Sequence, residues 1–336
     1  MACILLIGGG GYVGTGMINY FTENNNQVIV VDNFIYGHQI TNQGLLTNTN
    51  ISYHFLDYTN HANLAEICKL GHGADAIIIL AGLVGDPITK KYPDLSDSTN
   101  DFGMRYMIDE FSRESYGDKQ IIFVSTCSNY GLMKDGQLAD ETSELSPLSL
   151  YAKAKVEMEK IILEKTVEGS LNGTILRFAT AFGMSNRMRF DLTVNQFTRE
   201  IAVGNELVVF DADTWRPYCH VNDFARLADV VINADNDLTR GEVFNAGGDE
   251  NNYTKRGLID LIGAKLDNSK VSYSENGGDP RNYKVSFQKL NDTLHFQPKY
   301  SVEDGIDEII SAIQCGFFTQ DVEQNNLFGN YSLGAD

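Results

Sequence analysis

Positive charge is scarce in this chain. Its 336 residues carry 26 lysines and arginines against 45 aspartates and glutamates, a net charge of −19. Such a balance argues against nucleic acid or an anionic membrane as the main partner, because both are held by basic surfaces. An anionic substrate must be met by a few locally placed cations, since the long-range field opposes it. Cysteine is sparse too. Cys3, Cys68, Cys127, Cys219 and Cys315 are odd in number and show no C-x-x-C or other metal spacing. No metal site is expected, and the thiols read as small buried groups of a reducing compartment. No apolar run approaches the ~20 residues that a membrane helix requires. The opening Ala2–Ile7 is too short for the apolar core of a secretion signal and lacks a basic flank. A soluble cytoplasmic protein is expected.

What is present is a regular alternation. With 43% hydrophobic residues the chain can build a large core or two lobes of one enzyme. Short runs rich in Ile, Val, Leu and Phe suggest strands at 3–7, 27–31, 51–55, 76–80 and 120–125, each suited to burial on both faces. Amphipathic stretches between them, such as 14–23 and 104–114, suggest covering helices. The pattern predicts an α/β fold with a Rossmann-type, doubly wound parallel sheet. A helix from Tyr151 to about Lys165 and a strand at 174–178 follow. Beyond Gly183 the pattern loosens, with a helix expected at 190–203, a strand at 206–210 and a helix at 220–234. The expected division is a first lobe over 1–183, to which segments near 218–248 return, a smaller mixed α/β lobe over 184–325, and a polar, loosely ordered tail over 326–336.

Three features carry chemistry. The loop Gly8-Gly-Gly-Gly11-Tyr-Val-Gly14 follows the first strand and opens the first helix. Gly8 makes the turn, Gly11 lets backbone N–H groups approach a pyrophosphate, and Gly14 allows close helix–strand packing. Asp32 ends the second strand, where a carboxylate accepts hydrogen bonds from an adenosine ribose. It would repel a 2′-phosphate, and no Arg or Lys lies between Asp32 and Gly44, so NAD is favoured over NADP. The plain alternative for Asp32 is a turn-forming residue. Third, Tyr151 and Lys155 stand four apart on one helix face. A phenol with a reference pKa of about 10 is a poor base at pH 7, and a neighbouring ammonium favours the phenolate. Ser125-Thr126, a strand end bearing two hydroxyls, lies upstream.

With these motifs in place the chain resembles the extended short-chain dehydrogenase/reductase family, the NAD-dependent nucleotide-sugar epimerases and dehydratases, over about residues 3–315. Phe123-Val-Ser-Thr-Cys-Ser-Asn-Tyr-Gly131 is similar to the family's strand carrying the catalytic hydroxyl, which falls on Thr126. Tyr151 and Lys155 match its catalytic pair. The resemblance implies that NAD also meets Tyr12, Val13, Asn33, Asp57 and Tyr58. It further implies contacts from Leu80-Ala81-Gly82, Asn100 of the N-x-x-G helix, and Ser125. Leu176–Gly183 resembles the strand and turn passing the nicotinamide, which adds Phe178 and Thr180. Arg216–Asp223 and Phe244–Gly248 resemble two further family segments.

The same resemblance implies a nucleoside-diphosphate sugar as substrate. Thr126 and Thr180 would meet the sugar, and Asn195, Arg216 and Arg281 its pyrophosphate, with Arg187 and Arg189 also in reach. Guanidinium forks suit two phosphates. The alternatives are a surface or structural ion pair for Arg189, and a surface-turn cap after Asp279-Pro280 for Arg281.

The strand end narrows the reaction. Family members that perform 4,6-dehydration carry Thr-Asp-Glu there, and those that epimerise C3 or C5 carry a Cys two places after the catalytic hydroxyl. This chain has Thr126-Cys127-Ser128, and adjacent strand residues point to opposite faces. Redox at one carbon is expected, most readily C4: a 4-epimerase first, a 4-oxidase or 4-ketoreductase next, and a catalytically silent NAD-binding regulator as the reading of another class. The family also implies a homodimer. Met104, Met107, Ile108 and Phe111 form an apolar stripe at helical spacing, equally explained by packing on the sheet.

Overall fold

The computed structural model describes residues 1–113, 116, 119–133, 137–267, 269–275, 281–320, 322 and 326–333. Seven parallel strands form the main sheet: β1 (Cys3–Ile7), β2 (Gln27–Asp32), β3 (Ile51–Phe55), β4 (Ala76–Ile79), β5 (Gln120–Thr126), β7 (Asn172–Phe178) and β11 (Val243–Ala246). Their spatial order is β11-β7-β5-β4-β1-β2-β3.

The inner strands are largely apolar on both faces, whereas β3 lies at the sheet edge with Ser52 and Phe55 exposed, against the expectation of burial on both faces. Ile4 and Leu6 of β1 pack with Met17, Ile18 and Phe21 of the helix Tyr12–Glu23 on one side. Leu5 and Ile7 pack on the other side with Leu64 and Ile67 of the helix His61–Gly73. This is the two-residue period of a strand buried between two helix layers. Met104, Met107, Ile108 and Phe111 join that second layer and are almost fully buried. The methionine stripe is therefore spent on the sheet, and a partner chain would have to use other residues.

The order reverses between β1 and β4, which are direct neighbours. In register, Ile7 pairs with Val31 on one side and Ile79 on the other, so β1, β2 and β4 end level. The crevice outside the carboxyl ends at such a switch point is where an open α/β sheet binds its ligands.

Smaller sheets complete the chain. The strands β8 (Thr180–Phe182), β10 (Trp215–His220) and β12 (Asn252–Thr254) form one; β9 (Leu207–Phe210) and β13 (Val271–Ser274) form a second; β6 (Leu138–Ala139) and β14 (Lys284–Val285) form a third. A separate core holds Phe182, Val194, Phe197, Leu258 and Ile306. The helix Val221–Asn233 returns to the main sheet, where Phe224, Ala225 and Leu227 share the core of Met17 and Phe21. The expected helix at 190–203 begins only at Thr193; the backbone N–H of Phe190, ahead of it, donates to the carbonyl of Phe328, 2.8 Å away. That contact also corrects the expectation of a loose tail: residues 326–333 pack back on the body, while 334–336 lie outside the described residues. Among the described residues, no helix is long and apolar enough to cross a membrane.

Candidate active site

The glycine loop shows three different needs. Gly8 has φ +83°, and a Cβ there would come within 2.6 Å of the Ala81 backbone. At Gly14 a Cβ would lie 2.3 Å from the Gly9 carbonyl oxygen. At Gly11 a Cβ would meet nothing closer than the Gly8 carbonyl at 3.7 Å. The first two glycines are required by the fold itself. Gly11 borders an open cradle at the start of a helix that has no side-chain cap, a setting that suits an anion.

Asp32 stands at the edge of that cradle. Its carboxylate accepts the N–H groups of Gly10 at 2.9 Å and Phe34 at 2.7 Å. Burial raises its pKa, against the pull of those two bonds. Each oxygen keeps lone pairs for a ribose hydroxyl. Asn33 donates to Asp57 at 3.0 Å, which ties the ends of β2 and β3 together. The Tyr58 phenol is buried and donates to the Thr99 carbonyl. Leu80 and Ala81 both donate to the Ile7 carbonyl, at 2.8 and 2.9 Å, so the segment continuing to Gly82 lies directly on the glycine loop. Asn100 clamps the next residue: it accepts from the Leu83 N–H at 2.7 Å and donates to the Leu83 carbonyl at 2.9 Å. The cradle, the carboxylate and this lip fit a dinucleotide.

Thr126 is the last residue of β5, and its hydroxyl oxygen accepts the Ser128 N–H at 3.1 Å. Tyr151 is the second residue of the helix Leu150–Val167, whose N-cap Ser149 accepts from Ala152. One turn on, Lys155 is buried. Its ammonium donates to the Val124 carbonyl at 2.8 Å and sits 5.8 Å from the centre of the Tyr151 ring. Burial lowers the Lys155 pKa to about 7, with Glu159 acting in the opposite direction. The helix spacing thus places an amine beneath the phenol, as general-base chemistry requires.

Behind this lies a network that sequence reasoning missed. Glu159, four residues after Lys155, forms a buried ion pair with Arg177 at 2.7 Å. Burial works against the Arg177 charge, but the Glu159 bonds outweigh it and hold the guanidinium pKa above its ordinary value. Ser125 donates to Glu159, so its hydroxyl is turned into the protein rather than toward a cofactor. Asn129 donates to the same carboxylate at 2.9 Å. The one available signal was the continuation of the Tyr151–Lys155 spacing by a further four residues.

The four arginines separate into two pairs. Arg216 donates to the Arg281 carbonyl and lies 5.0 Å over the Tyr283 ring. Arg281 donates to the Ser128 hydroxyl at 3.4 Å, and that hydroxyl is 3.3 Å from the Tyr283 phenol. This pair stands next to Thr126, and Tyr283 and Ser128 join a group in which only the arginines were foreseen. The Asp279-Pro280 turn lies outside the described residues. Arg187 and Arg189 lie elsewhere, at the cofactor end. Arg187 sits 5.5 Å from the Tyr36 ring, and its backbone N–H reaches Thr15 of the first helix at 3.4 Å. Arg189 is paired with Asp191, the structural alternative for this residue.

The reason is a brace between the first helix and the segment from Gly183 onward. The Tyr12 phenol donates to the Gly183 carbonyl at 2.6 Å, and Ser185 donates to the Tyr12 carbonyl at 2.7 Å. Asn195 is fully buried; it accepts from Gly183 and donates to Tyr12 and the Arg189 carbonyl. Its carboxamide supports this turn instead of opening toward a phosphate. Val13 is half-buried beside it. Phe178 pairs with Thr126 on one side and Ala246 on the other, and its ring stacks on Phe224 at 3.7 Å in the core rather than facing the crevice. Thr180 pairs with Tyr218 and is half-buried.

Among known proteins, residues 4–247 match the model of the NAD dependent epimerase/dehydratase family. The chain is 26% identical to a UDP-glucose 4-epimerase of Streptococcus mutans, covering 92% of this chain and 95% of that protein. It is 24% identical to a UDP-N-acetyl-alpha-D-glucosaminuronate decarboxylase of Bacillus cytotoxicus, covering 91% and 96%. The crystal structure of a Thermotoga maritima UDP-glucose 4-epimerase with UDP-glucose superposes with a TM-score of 0.81 at 26% identity, covering 94% of this chain and 99% of that one.

Proposed function

The chain belongs to the NAD-dependent epimerase/dehydratase family, as an NAD-dependent nucleotide-sugar enzyme of the extended short-chain dehydrogenase/reductase type, and we propose that it acts as a 4-epimerase on a nucleoside-diphosphate sugar. The observation that carries this reading is the strand end at Thr126. Neither following residue is a carboxylate, so the extra acid and base of a dehydration are missing there. Cys127 is almost fully buried, its thiol bonds the Arg177 carbonyl at 3.2 Å, and burial pushes its pKa up. It cannot serve a sugar on the opposite face. One base and one orienting hydroxyl remain, which suits redox at a single carbon.

In this reading Thr126 holds the C4 hydroxyl by a hydrogen bond. Tyr151, as phenolate, removes its proton, and the Lys155 ammonium stabilises that phenolate. NAD, when bound in the crevice, supplies the acceptor and donor of the C4 hydride. Tyr151 then returns the proton to the oxygen after the keto sugar has turned its other face. Arg216 and Arg281 hold the diphosphate while the ring turns. If the keto sugar left instead, the same residues would make a 4-oxidase, or a 4-ketoreductase in reverse.

The test is a panel of nucleotide sugars, analysed by mass spectrometry and proton NMR with NADH absorbance recorded in parallel. A C4-inverted product of unchanged mass is expected. A product lighter by one hydrogen pair, with stoichiometric NADH, would replace the epimerase with an oxidase. A homodimer is part of the same proposal. Exposed Phe102, just before the helix Met104–Arg113, and Tyr106 within it are groups it could use. Light scattering measures the mass directly.

A further inference from the structure

The tail lies along the rim of the crevice. From the helix Val302–Gln314 the chain runs past Phe318, whose ring meets Phe190 at 5.1 Å and Phe328 at 5.3 Å. Four anchors follow within a few residues. The Phe328 carbonyl accepts the Phe190 N–H at 2.8 Å. The Gly329 carbonyl accepts from the Arg187 guanidinium at 2.9 Å. Asn330 donates to the Val84 carbonyl at 3.3 Å. Leu333 packs against the cluster of Tyr36, Leu83 and Ile88.

These anchors belong to three separate parts of the rim. Phe190 and Arg187 come from the segment braced to the first helix. Val84 and Leu83 follow β4, and Tyr36 follows β2. Tyr36 and Leu83 share one apolar cluster, so the loops after β2 and β4 meet beside the switch-point crevice, and Asn330 and Leu333 cover their junction. The chemistry of this stretch suits the place. Residues 326–333 read Asn-Leu-Phe-Gly-Asn-Tyr-Ser-Leu and carry no charge, in a chain whose net charge is −19. A dinucleotide with two negative phosphates is not repelled by this one wall.

We propose that residues 326–333 form the outer wall of the dinucleotide site and keep NAD in place between turnovers. The inference rests on NAD occupying the crevice and deepens the 4-epimerase reading. An epimerase returns its hydride to the same sugar and gains from a cofactor that stays; an oxidase must exchange its cofactor at each turnover. Arg187 is the anchor the wall shares with the cofactor end of the site, and it acts as a positioning residue.

The test measures cofactor release and needs no sugar. Full-length protein is loaded with NADH and mixed with excess NAD, and the fall in NADH fluorescence is followed by stopped flow. Two variants are compared with the parent: a chain ending at residue 325, and Leu333→Asp, which puts a charge into the Tyr36–Leu83–Ile88 cluster. Both should release NADH at least tenfold faster, with unchanged far-ultraviolet circular dichroism. Should the shortened chain not fold, Leu333→Asp alone decides. Release rates within twofold of the parent in a folded Leu333→Asp protein would overturn the proposal. If release accelerates while the sugar panel yields an oxidised product, the wall stands and the epimerase reading falls.

Discussion

Arg216 donates a hydrogen bond to the backbone carbonyl of Arg281, which lies 65 residues further along the chain. The bond leaves the Arg281 side chain beside Ser128, two residues from Thr126. One guanidinium therefore holds the backbone that presents the other, and the pair gathers positive charge beside Thr126, where the proposed diphosphate would be gripped.

The first prediction follows from that pair. Arg281→Ala should raise KM for the nucleotide sugar about tenfold or more, in line with ~1.5–3 kcal/mol for a charge-assisted contact. Arg281→Lys should rescue only in part, because it keeps charge and loses the fork. Calorimetry with a nonreactive nucleoside diphosphate reads the contact directly. Unchanged affinity would remove Arg281 from the diphosphate site.

Tyr151→Phe keeps the ring over Lys155 and removes the oxygen. Turnover should fall at least ~100-fold, the lower range for general acid–base catalysis, with substrate affinity little changed. Steady-state kinetics with equilibrium binding separates the two. A variant with near-parental kcat would remove Tyr151 from the role of base.

Lys155 gives a pH signature. Burial lowers its pKa to about 7 in the folded chain, against ~10.4 when unfolded. Between those values the unfolded state binds the proton and the folded state does not. The group's contribution to stability therefore rises with pH across that window and is lost as pH falls toward 7. The difference in Tm between the parent and Lys155→Met should shift in the parent's favour from pH 7 to 10 in cofactor-free protein. In turnover the same variant should be slower at pH 7 and have its optimum displaced to higher pH, because Tyr151 has lost the neighbouring ammonium. A flat Tm difference would remove Lys155 as the titrating group.

The glycine loop separates fold from function. Gly8→Ala meets the Ala81 backbone at a positive φ, so it should destabilise the fold. Gly11→Val has room in the protein but fills the cradle, so NAD binding should be lost while Tm changes little. Asp32→Asn keeps one acceptor oxygen for either the Gly10 or the Phe34 N–H, sets an NH2 against the other and removes the charge, so discrimination against NADP should relax at some cost in Tm. Cofactor titration with differential scanning fluorimetry covers all three variants. Equal NAD affinity in Gly11→Val would reject the cradle.

Glu159→Ala leaves the Arg177 guanidinium buried without its carboxylate. Removing one partner of such a pair costs ~3–5 kcal/mol, and chemical denaturation should show a loss of that order. A loss below ~1 kcal/mol, the range of exposed pairs, would mean that Arg177 finds another counter-ion.

Much of the architecture was legible locally. The run at Cys3–Ile7 is a strand with those bounds, because five apolar residues in succession before a glycine turn suit a strand covered on both faces; Ile51–Phe55 keeps its bounds too, but as an edge strand whose Ser52 and Phe55 are exposed. The helix holding Tyr151 and Lys155 starts after Ser149 and delivers the expected spacing. The methionine stripe was legible as apolar but not as to what it covers, since a sheet and a partner helix ask for the same periodicity. Glu159 was passed over because a glutamate four residues from a lysine on a helix reads as a solvated pair; only the burial of Arg177 beside it makes it otherwise.

The sequence by itself determined whatever depends on near neighbours: the alternation of strand and helix, the glycine turn, and the Tyr–Lys face. Steric limits and helix or strand periods act over a few residues, so spacing alone expresses them. Only the tertiary structure decided which arginines work together. Arg216 meets Arg281, whereas Arg187 and Arg189 go to the cofactor end because Tyr12, Ser185 and Asn195 brace their segment to the first helix. The tail's return has the same origin: Asn330 reaches Val84 across 246 residues. No local spacing encodes such a contact, because it exists only once the rest of the chain has folded and brought the two segments together.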